Sequence, residues 1–330
     1  MRLQFLVSAQ TVPYLNIAVE NHLLATQEPG TVTLYLWRNR RTVVIGQNQN
    51  PFSEVNLDAL LADGGYLMRR RTGGGAVYHD DGNLNFSFIA SHDLYDKARQ
   101  FGVLQGAVQR FGLRTEVSGR NDVLVACPED DGSTSMRKFS GNAFAKAQAN
   151  SLHHGTILIR SNMDDLARYL RPKPHKLLKH GVGSVQSRVA NLGSLCADIT
   201  AASIVQPLLD AFEQTYGGKA CRLDWDEVAS RADVQRLRDE FASSQWLYDR
   251  WRNFSVSRSG HFEWGDVEVM LDVEDGRLRN VQIATDALDL QAVDAARALL
   301  DGAQADVPPA AADSVAADMV ALIYGQPSSK

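Results

Sequence analysis

Cysteine is scarce in this sequence, and its positions exclude two common kinds of site. Three cysteines occur among 330 residues, Cys127, Cys196 and Cys221, and none has the short paired spacing of a metal site. Sparse, separated cysteines fit a reducing compartment better than a disulfide framework. No histidine pair has HxxxH or HxH spacing, so we predict no zinc site. A cysteine nucleophile is equally disfavoured, since none lies in a recognisable arrangement with His and Asp.

Long apolar runs are also missing. No segment approaches the roughly 18 apolar residues that a membrane-spanning helix needs. Residues Met1–Phe5 lead into neither a long apolar core nor a small-residue cleavage site, so we predict no signal peptide. We therefore expect a cytoplasmic protein with no membrane partner.

Positive charge is limited overall and concentrated in one place. The formal net charge is −5, which disfavours general nucleic-acid binding because that needs a positive face. The acid-free segment, residues 166–197, has no Asp or Glu. Its basic residues are Arg168, Arg171, Lys173, Lys176, Lys179 and Arg188. The segment predicts a positive field for an anionic ligand; the alternative is a solvated basic loop or helix face.

The two commonest phosphate-binding motifs are absent, because no GxGxxG opens a predicted helix and no GKS or GKT follows a glycine run. Instead, Arg69–Phe88, RRRTGGGAVYHDDGNLNFSF, joins three arginines to a glycine loop, residues 73–75, and then to predicted strands. Glycine lets a ligand approach backbone N–H groups closely, and arginine side chains are permanent donors. The stretch predicts an anion site; a hairpin loop with surface arginines is the alternative.

Composition predicts a soluble globular protein, and periodicity predicts that it contains both helices and strands. The hydrophobic fraction is 44% and the charged fraction 22%, as in soluble domains. Thr31–Trp37 and Thr42–Ile45 are β-branched and aromatic, and we predict that they form a hairpin. Near residue 245 the pattern changes to alternating strands joined at Asp275-Gly276, a strong hairpin signal, followed by two alanine-rich helices. We predict one domain over residues 1–245 and a small α+β domain over residues 246–330.

Among single side chains, Lys138 has the most informative context. It lies in RKFSGNAF, just before Ser140-Gly141, and faces Asn121-Asp122 across a predicted hairpin. An ammonium at a strand end beside glycine can stabilise charge that develops on a phosphate or carboxylate. The alternative for an isolated lysine is a solvated surface residue.

The order of these motifs resembles that of the lipoate-protein ligases. The matching segments are RRRTGGGAVYHDDGNLNFSF, SGRNDVLV, RKFSGNAF, LHHGTILI and KPHKLLKHGVGSVQSRVANL, preceded by LNIAVENHLL and LYLWRNRRTVVIGQNQNP. The resemblance covers residues 14–192, and the C-terminal part resembles, more weakly, the accessory domain of the bacterial two-domain form. Residues 246–254 lack the Gly and Pro usual in the linker of that form.

The resemblance implies an α/β (α+β type) fold, with a mixed or antiparallel sheet flanked by helices as in biotinyl and lipoyl ligases. It also implies a two-step reaction in which lipoate and ATP, with Mg²⁺, give lipoyl-AMP and pyrophosphate, and the lipoyl group then passes to a lysine. The implied acceptors are lipoyl domains of 2-oxoacid dehydrogenase E2 subunits and the glycine-cleavage H protein. We expect a monomer that binds no nucleic acid.

The same resemblance implies roles for particular residues. Lys138 would contact both the lipoyl carbonyl and the phosphate. The residues implied to bind lipoate or ATP are Arg70, Thr72, Gly73, Gly74, Gly75, Ala76, Val77, Tyr78, His79, Asn83, Asn121, Asp122 and His154. Those on the adenylate-binding loop are Lys179, Gly181, Ser184 and Arg188. Thr72 stands where serine is frequent and keeps the hydroxyl. No metal site is assigned beyond Mg²⁺ on the ATP phosphates, for which Asp122 is a candidate ligand.

Three other interpretations remain open at the level of sequence. Octanoyl transfer through a cysteine thioester would use the same scaffold, but it needs a cysteine near Lys138. Biotin ligases share the scaffold but usually have a GRGRRG-like loop, which is missing here. A non-catalytic nucleotide or nucleic-acid-binding module would use the acid-free segment, against the net negative charge. The sequence does not distinguish lipoate from octanoate as substrate.

Overall fold

The computed structural model describes residues 1–119, 121–171, 189–248 and 254–325. Its strands are β1 (Arg2–Val7), β2 (Thr31–Trp37), β3 (Thr42–Ile45), β4 (Tyr66–Arg69), β5 (Val77–His79), β6 (Asn83–Ser91), β7 (Thr115–Ser118), β8 (Asp122–Pro128), β9 (Thr134–Lys146), β10 (Asn150–Leu158), β11 (Ala220–Arg222), β12 (Val256–Phe262), β13 (Gly265–Glu274) and β14 (Arg277–Thr285). Its helices are α1 (Pro13–Thr26), α2 (Pro51–Glu54), α3 (Leu57–Ala62), α4 (Lys97–Gln109), α5 (Met163–Tyr169), α6 (Leu192–Leu195), α7 (Val205–Tyr216), α8 (Trp225–Ala229), α9 (Ala232–Ala242), α10 (Ser244–Leu247), α11 (Leu290–Leu300) and α12 (Ser314–Tyr324).

A mixed eight-stranded sheet forms the centre of the molecule, in the order β11-β1-β2-β6-β10-β9-β8-β7. Strand β1 is parallel to both β2 and β11, and the pairs from β2 to β7 are antiparallel. Because parallel neighbours need a crossover connection, α1 joins β1 to β2. The predicted mixed sheet flanked by helices is confirmed.

The central sheet is buried on both faces, and β2 shows how alternation achieves this. Val32, Leu34 and Leu36 contribute to a core that includes residues of α4 and α7. Tyr35 and Trp37 point the other way, into a second core that includes residues of α1 and α9. Successive strand residues face opposite sides of a sheet, so both series can be apolar only where helices cover both faces.

A second, three-stranded sheet has the order β4-β3-β5. Strand β3 is parallel to β4 and antiparallel to β5. The predicted hairpin of Thr31–Trp37 with Thr42–Ile45 is therefore wrong, because β2 pairs instead with β1 and β6. Val43 and Ile45 of β3 pack in a separate small core, which draws this strand away from β2.

The C-terminal strands β12, β13 and β14 form an antiparallel sheet with its own core, covered by α11 and α12. The predicted Asp275-Gly276 hairpin is confirmed, and both residues have positive φ, 49° and 73°. Two backbone hydrogen bonds, Thr285 N to Asn48 O and Gly74 N to Ala287 O, connect this unit with the N-terminal part. The boundary near residue 245 stays a prediction. No helix in the described ranges is long and apolar enough to cross a membrane.

Candidate active site

A cavity of about 180 Å³ lies between the central sheet and the β4-β3-β5 sheet. Its apolar lining comes from α1 and from both sheets: Ile17, Trp37, Val44, Met68, Ala76, Val77 and Ala143. Its polar lining consists of Arg70, His79, Asn85, Asn121, Lys138, Asn142, His154 and Thr156, with Gly74, Gly75, Gly141 and Gly155 completing the wall. The cavity therefore suits a ligand with both an apolar and an anionic part.

Lys138 lies on β9, opposite the start of β8, as predicted. Its Nζ is 2.7 Å from Asp122 Oδ1, and both side chains are about one-third exposed. A Cβ atom on Gly141 would come within 2.9 Å of Lys138 Cε and Nζ. Glycine at position 141 thus leaves the space that the ammonium group occupies.

Reciprocal amide contacts fix the start of β8 beside Lys138. Asn142 Nδ2 donates to Asn121 O at 3.0 Å, and Asn121 Nδ2 donates to Asn142 O at 3.4 Å. Asn142 Oδ1 in turn lies 2.8 Å from Nε2 of the fully buried His153. Burial holds the pKa of His153 well below its ordinary value, so the ring is neutral.

Arg70 holds the glycine loop. Its Nη2 donates to Gly73 O at 2.7 Å and to Gly75 O at 2.8 Å, and its Nε donates to Thr72 Oγ1 at 3.0 Å. Burial lowers the pKa of Arg70 to about 10, partly opposed by the charge of Glu20, so the guanidinium stays charged at neutral pH. Arg70 therefore combines a fixed positive charge with control of the loop.

The neighbouring arginines have other functions. The fully buried Arg69 donates to the carbonyls of Gly46, Gln47, Gln49, Trp246 and Leu247. Arg71 Nη2 lies 2.6 Å from Glu240 Oε1, and its guanidinium lies over the Phe241 and Trp246 rings. The expectation that all three arginines face one anion therefore fails for Arg69, which bonds backbone carbonyls, and for Arg71, which pairs with Glu240; only Arg70 of the three borders the cavity.

The structure brings most of the predicted ligand-binding residues together. Those that border the cavity are Arg70, Gly74, Gly75, Ala76, Val77, His79, Asn121, Lys138 and His154. Those absent from its lining are Thr72, Gly73, Tyr78, Asn83 and Asp122. Tyr78 points into the small core, and its hydroxyl donates to Asp165. Lys179, Gly181, Ser184 and Arg188 lie outside the described residues.

His79 is a buried, neutral member of the lining. Burial, followed by the charges of Arg70 and His154, lowers its pKa to about 3. Its Nδ1 lies 3.2 Å from Asn39 Nδ2, and its ring packs edge-on against Trp37. A neutral His79 can contact a ligand by hydrogen bonding or packing, but it supplies no positive charge for an anion.

Several cavity residues were not predicted, although some stand inside the predicted motifs. Asn142 follows Gly141 in RKFSGNAF, and Thr156 closes HHGT in LHHGTILI. Trp37 and Asn85 are neighbours across the β2–β6 pair, and both border the cavity. Their strand periodicity was visible in the sequence, but the face of the sheet on which the cavity lies was not.

The described ends of the acid-free segment have different partners, and one of them lies beside the site lysine. Arg171 N donates to Glu54 O on one side, and Ala190 N donates to Lys138 O on the other. Val189 forms a parallel bridge with Lys138. The chain that leaves the segment thus runs directly alongside the site lysine.

The described residues provide neither a cysteine nucleophile nor a preformed metal cluster at the cavity. No cysteine is among the lining residues, and Cys127 packs in the core, where burial raises its pKa. No group of three or more His, Cys, Asp or Glu side chains in the described ranges could hold a metal ion. The site instead has a lysine paired with one carboxylate, an arginine-bound glycine loop and apolar walls. Fold and site together define a binding site for a ligand that has both an anionic group and an apolar part.

Comparison with known proteins identifies the family. Residues 12–213 match the lipoyl protein ligase A/B catalytic domain, and residues 252–308 match the bacterial lipoate protein ligase C-terminus. The chain belongs to the lipoyl protein ligase A/B family, which confirms the resemblance found in the sequence. It is 37% identical over 314 residues to the lipoate-protein ligase A of Psychrobacter cryohalolentis, covering 93% of this chain and 89% of that relative.

Two solved structures are similar in fold. A crystal structure of P. falciparum LipL1 in complex with lipoate has a TM-score of 0.78 and 27% identity, covering 91% of this chain and 90% of that chain. A crystal structure of lipoate-protein ligase A bound with ATP has a TM-score of 0.58 and 26% identity, covering 76% of this chain and 98% of that chain.

Proposed function

We propose that this protein is an ATP-dependent lipoate-protein ligase that forms lipoyl-AMP and then lipoylates a lysine of an acceptor lipoyl domain. The observation that carries the proposal is the position of Lys138, paired with Asp122 and bordering a cavity with apolar walls. Family membership and the lipoate-bound and ATP-bound structural relatives support it.

The first step joins two anions, the lipoate carboxylate and the α-phosphate of ATP. A carboxylate oxygen forms a bond to the α-phosphorus, and the bond to the β-phosphate oxygen breaks, so pyrophosphate leaves with the electron pair. The Lys138 ammonium offsets the repulsion between the two groups and the charge that develops during transfer. Asp122 keeps this ammonium in place, and the glycine loop borders the same space.

Magnesium enters as part of the MgATP substrate. Mg²⁺ usually keeps several waters and takes one or two carboxylates besides the phosphates. Asp122, beside Lys138, would supply one such carboxylate, so Mg²⁺ binding does not require a larger cluster of acidic residues. Its carboxylate would hold the ion near the phosphates, where the ion supplies further positive charge.

The second step transfers the acyl group. The neutral amine of an acceptor lysine attacks the lipoyl carbonyl carbon and the C–N bond forms. The bond from the carbonyl carbon to the phosphate oxygen breaks, AMP leaves with the electron pair, and the amine loses one proton to solvent. The proposed acceptors are E2 lipoyl domains and the glycine-cleavage H protein. Lys179, Gly181, Ser184 and Arg188 are proposed, from the family resemblance, to bind the adenylate. The protein is proposed to act as a cytoplasmic monomer.

The test mixes purified protein with ATP, Mg²⁺, an acceptor lipoyl domain and either lipoate or octanoate. We expect AMP release and a mass gain of one acyl group on the acceptor, and the two acids give the preference directly. Neither AMP nor a mass gain with either acid would refute the proposal.

Lys138→Ala should reduce adenylate formation by about 100-fold or more, because the cation between the reacting anions is removed. Lys146→Ala, at the exposed end of the same strand, is the matched control and should keep wild-type activity. The measurement is pyrophosphate release, with thermal melting as a check on folding. Wild-type release by a folded Lys138→Ala protein would contradict the assigned role.

The thioester alternative makes a different prediction. It requires Cys127 or Cys196, whereas the proposed mechanism requires neither. Replacing each cysteine by Ala should leave ATP-dependent transfer intact. Loss of transfer together with a trapped acyl-cysteine would favour the alternative.

A further inference from the structure

A continuous line of buried hydrogen bonds runs from the glycine loop to α1. We call it the Glu20 relay; its members are Arg70, Thr72, His154 and Glu20. Arg70 Nε donates to Thr72 Oγ1 at 3.0 Å, and Thr72 Oγ1 lies 2.9 Å from His154 Nε2. His154 Nδ1 lies 2.8 Å from Glu20 Oε1. All four residues are between 1% and 7% exposed, so water does not compete for these bonds.

The chemistry of the groups fixes the direction of the bond at the Arg70 end of the relay. An arginine Nε can only donate, so Thr72 Oγ1 accepts from it, and the same hydroxyl bonds His154 Nε2. At the other end the Glu20 carboxylate accepts, so His154 Nδ1 carries a proton. Each member of the relay therefore has its bonding partners within the protein.

Glu20 also connects the relay to the apolar wall of the cavity. Ser87 Oγ donates to Glu20 Oε1 at 2.5 Å, and Trp37 Nε1 donates to Ser87 Oγ at 3.0 Å. Trp37 lines the cavity, as does Arg70. The buried Glu20 carboxylate is thus connected by hydrogen bonds to two parts of the cavity wall, the Trp37 indole and the glycine loop.

The charges at the two ends of the relay are complementary. Arg70 and Glu20 are both buried, at 6% and 1% exposure, and carry opposite charges. Isolated charges are costly to bury, whereas a pair connected by a fully bonded chain stabilises both ends. Glu20 partly offsets the lowering of the Arg70 pKa by burial. Removing the carboxylate should therefore affect the loop, although Glu20 does not border the cavity.

We propose that the Glu20 relay is a positioning device for the glycine loop. By fixing the Arg70 guanidinium, it holds the Gly73 and Gly75 carbonyls and so keeps the loop in the conformation that borders the ligand cavity. This inference rests on the proposed function and changes the predicted role of Thr72. The Thr72 hydroxyl is engaged within the protein, so it positions Arg70 and does not bind lipoate or ATP.

The first test replaces the hydroxyl while keeping the shape. In Thr72→Val the loop amides of residues 73–77 should exchange hydrogen about tenfold faster, and the KM for ATP should rise about tenfold, the value of one buried hydrogen bond. Thr72→Ser restores the hydroxyl and should restore both measurements. Thr33→Val is the matched control, because Thr33 on β2 is similarly buried and its hydroxyl bonds Gln27, outside the relay. Equal behaviour of Thr72→Val and wild type would overturn the proposal.

The second test measures coupling between the two ends. Glu20→Gln and Thr72→Val should not be additive, because each breaks the same line of bonds through His154. The double variant should therefore raise the KM for ATP no further than the more affected single variant. Fully multiplicative effects would overturn the relay. Hydrogen exchange needs no turnover, so it tests the relay even if wild type forms no adenylate, a result that would refute the proposed function alone.

Discussion

At the scale of single residues, a missing side chain is as important to the site as those that are present. Lys138 reaches Asp122 across the space in front of Gly141, and any Cβ there would contact its Cε and Nζ. The contact would be with the flexible end of a lysine, which can move at small energetic cost. The expected penalty is therefore misplacement of the ammonium and not unfolding.

Gly141→Ala should lower kcat/KM for adenylate formation by about 10- to 100-fold, because small displacements of a positioned charge weaken its effect on the transition state. Its melting temperature should stay within a few degrees of wild type, as adding one methyl beside a movable side chain costs little. Steady-state pyrophosphate release and thermal melting are the measurements. Gly102→Ala, where a new Cβ meets open space, is the control. Unchanged activity in Gly141→Ala would show that the lysine tolerates displacement.

Residues that lie in a sequence motif could be predicted to share one region of the structure, whereas residues with remote partners could not. Lys138 and Arg70 were predicted from their segments, and both border the cavity. Glu20 was not predicted, because it lies 134 residues from His154 and in an apolar helix. A buried partner chosen by tertiary packing leaves no local signal in the chain.

At the scale of elements, the glycine loop contacts the C-terminal unit that contains β12, β13 and β14. Gly74 N donates to Ala287 O at 3.1 Å, and Thr285 N donates to Asn48 O at 2.8 Å. A Cβ on Gly73 would lie 2.2 Å from Ala287 O, so this backbone approach requires glycine. The same loop that borders the cavity therefore also binds the turn that follows β14.

Gly73→Ala should weaken this contact. The clash is with backbone and cannot be relieved by a rotamer change, so we expect a loss of about 1–3 kcal/mol in unfolding free energy or detachment of residues 285–288. Urea unfolding and hydrogen exchange of residues 285–288 are the measurements. Gly75→Ala is the matched control, because nothing lies within 4 Å of a Cβ at that position. If both variants behave alike, the close approach is not required.

The elements themselves were easier to predict than their pairing. The bounds of β2 and β3 agree with the sequence interpretation, as does the turn at Asp275-Gly276. The predicted hairpin was wrong because adjacency in sequence was taken for adjacency in the sheet. Local propensity sets a strand, whereas its partner is chosen by burial, and β3 joins a small core apart from β2.

At the scale of the whole molecule, two buried neutral histidines make stability depend on pH. Burial lowers the pKa of His79 to about 3 and holds the pKa of His153 well below its ordinary value. An unfolded histidine takes up a proton near pH 6.5. Below that pH the unfolded chain binds protons that the folded chain does not. The stability that the two neutral histidines contribute is therefore fully present above about pH 6.5 and is lost as the pH falls below that value.

Each of these histidines should reduce the unfolding free energy by about 1.4 kcal/mol per pH unit below pH 6.5. Urea unfolding between about pH 5 and pH 8 measures the slope. His153→Gln should have a shallower slope in the acidic range and run parallel to wild type above about pH 7.5. The substitution itself can lower the unfolding free energy by an amount that is the same at every pH. Such a loss does not change the slope, so the comparison of slopes is unaffected by it. An unchanged acidic slope would mean that His153 is protonated in the folded protein.

The family of the whole molecule could be predicted because five motifs occur in a fixed order, although each alone is ambiguous. The Arg69–Phe88 stretch shows this: its arginines suggested one anion-binding cluster, but Arg69 bonds backbone carbonyls. A buried charged side chain can have a structural role, such as bonding backbone carbonyls, and that role cannot be predicted from composition. The contact between the N- and C-terminal parts was also not predictable, since it includes backbone hydrogen bonds between residues that are remote in sequence.

The position of β1 has a consequence for the order of events during synthesis. This first strand lies between β2 and β11, with Leu3 opposite both Val32 and Ala220. One edge of β1 therefore stays unpaired until more than two hundred further residues have been made. A long-lived open strand edge is a site for wrong pairing between chains. The newly made chain is thus most exposed to aggregation before β11 is complete, a period set by translation speed and not by the final stability.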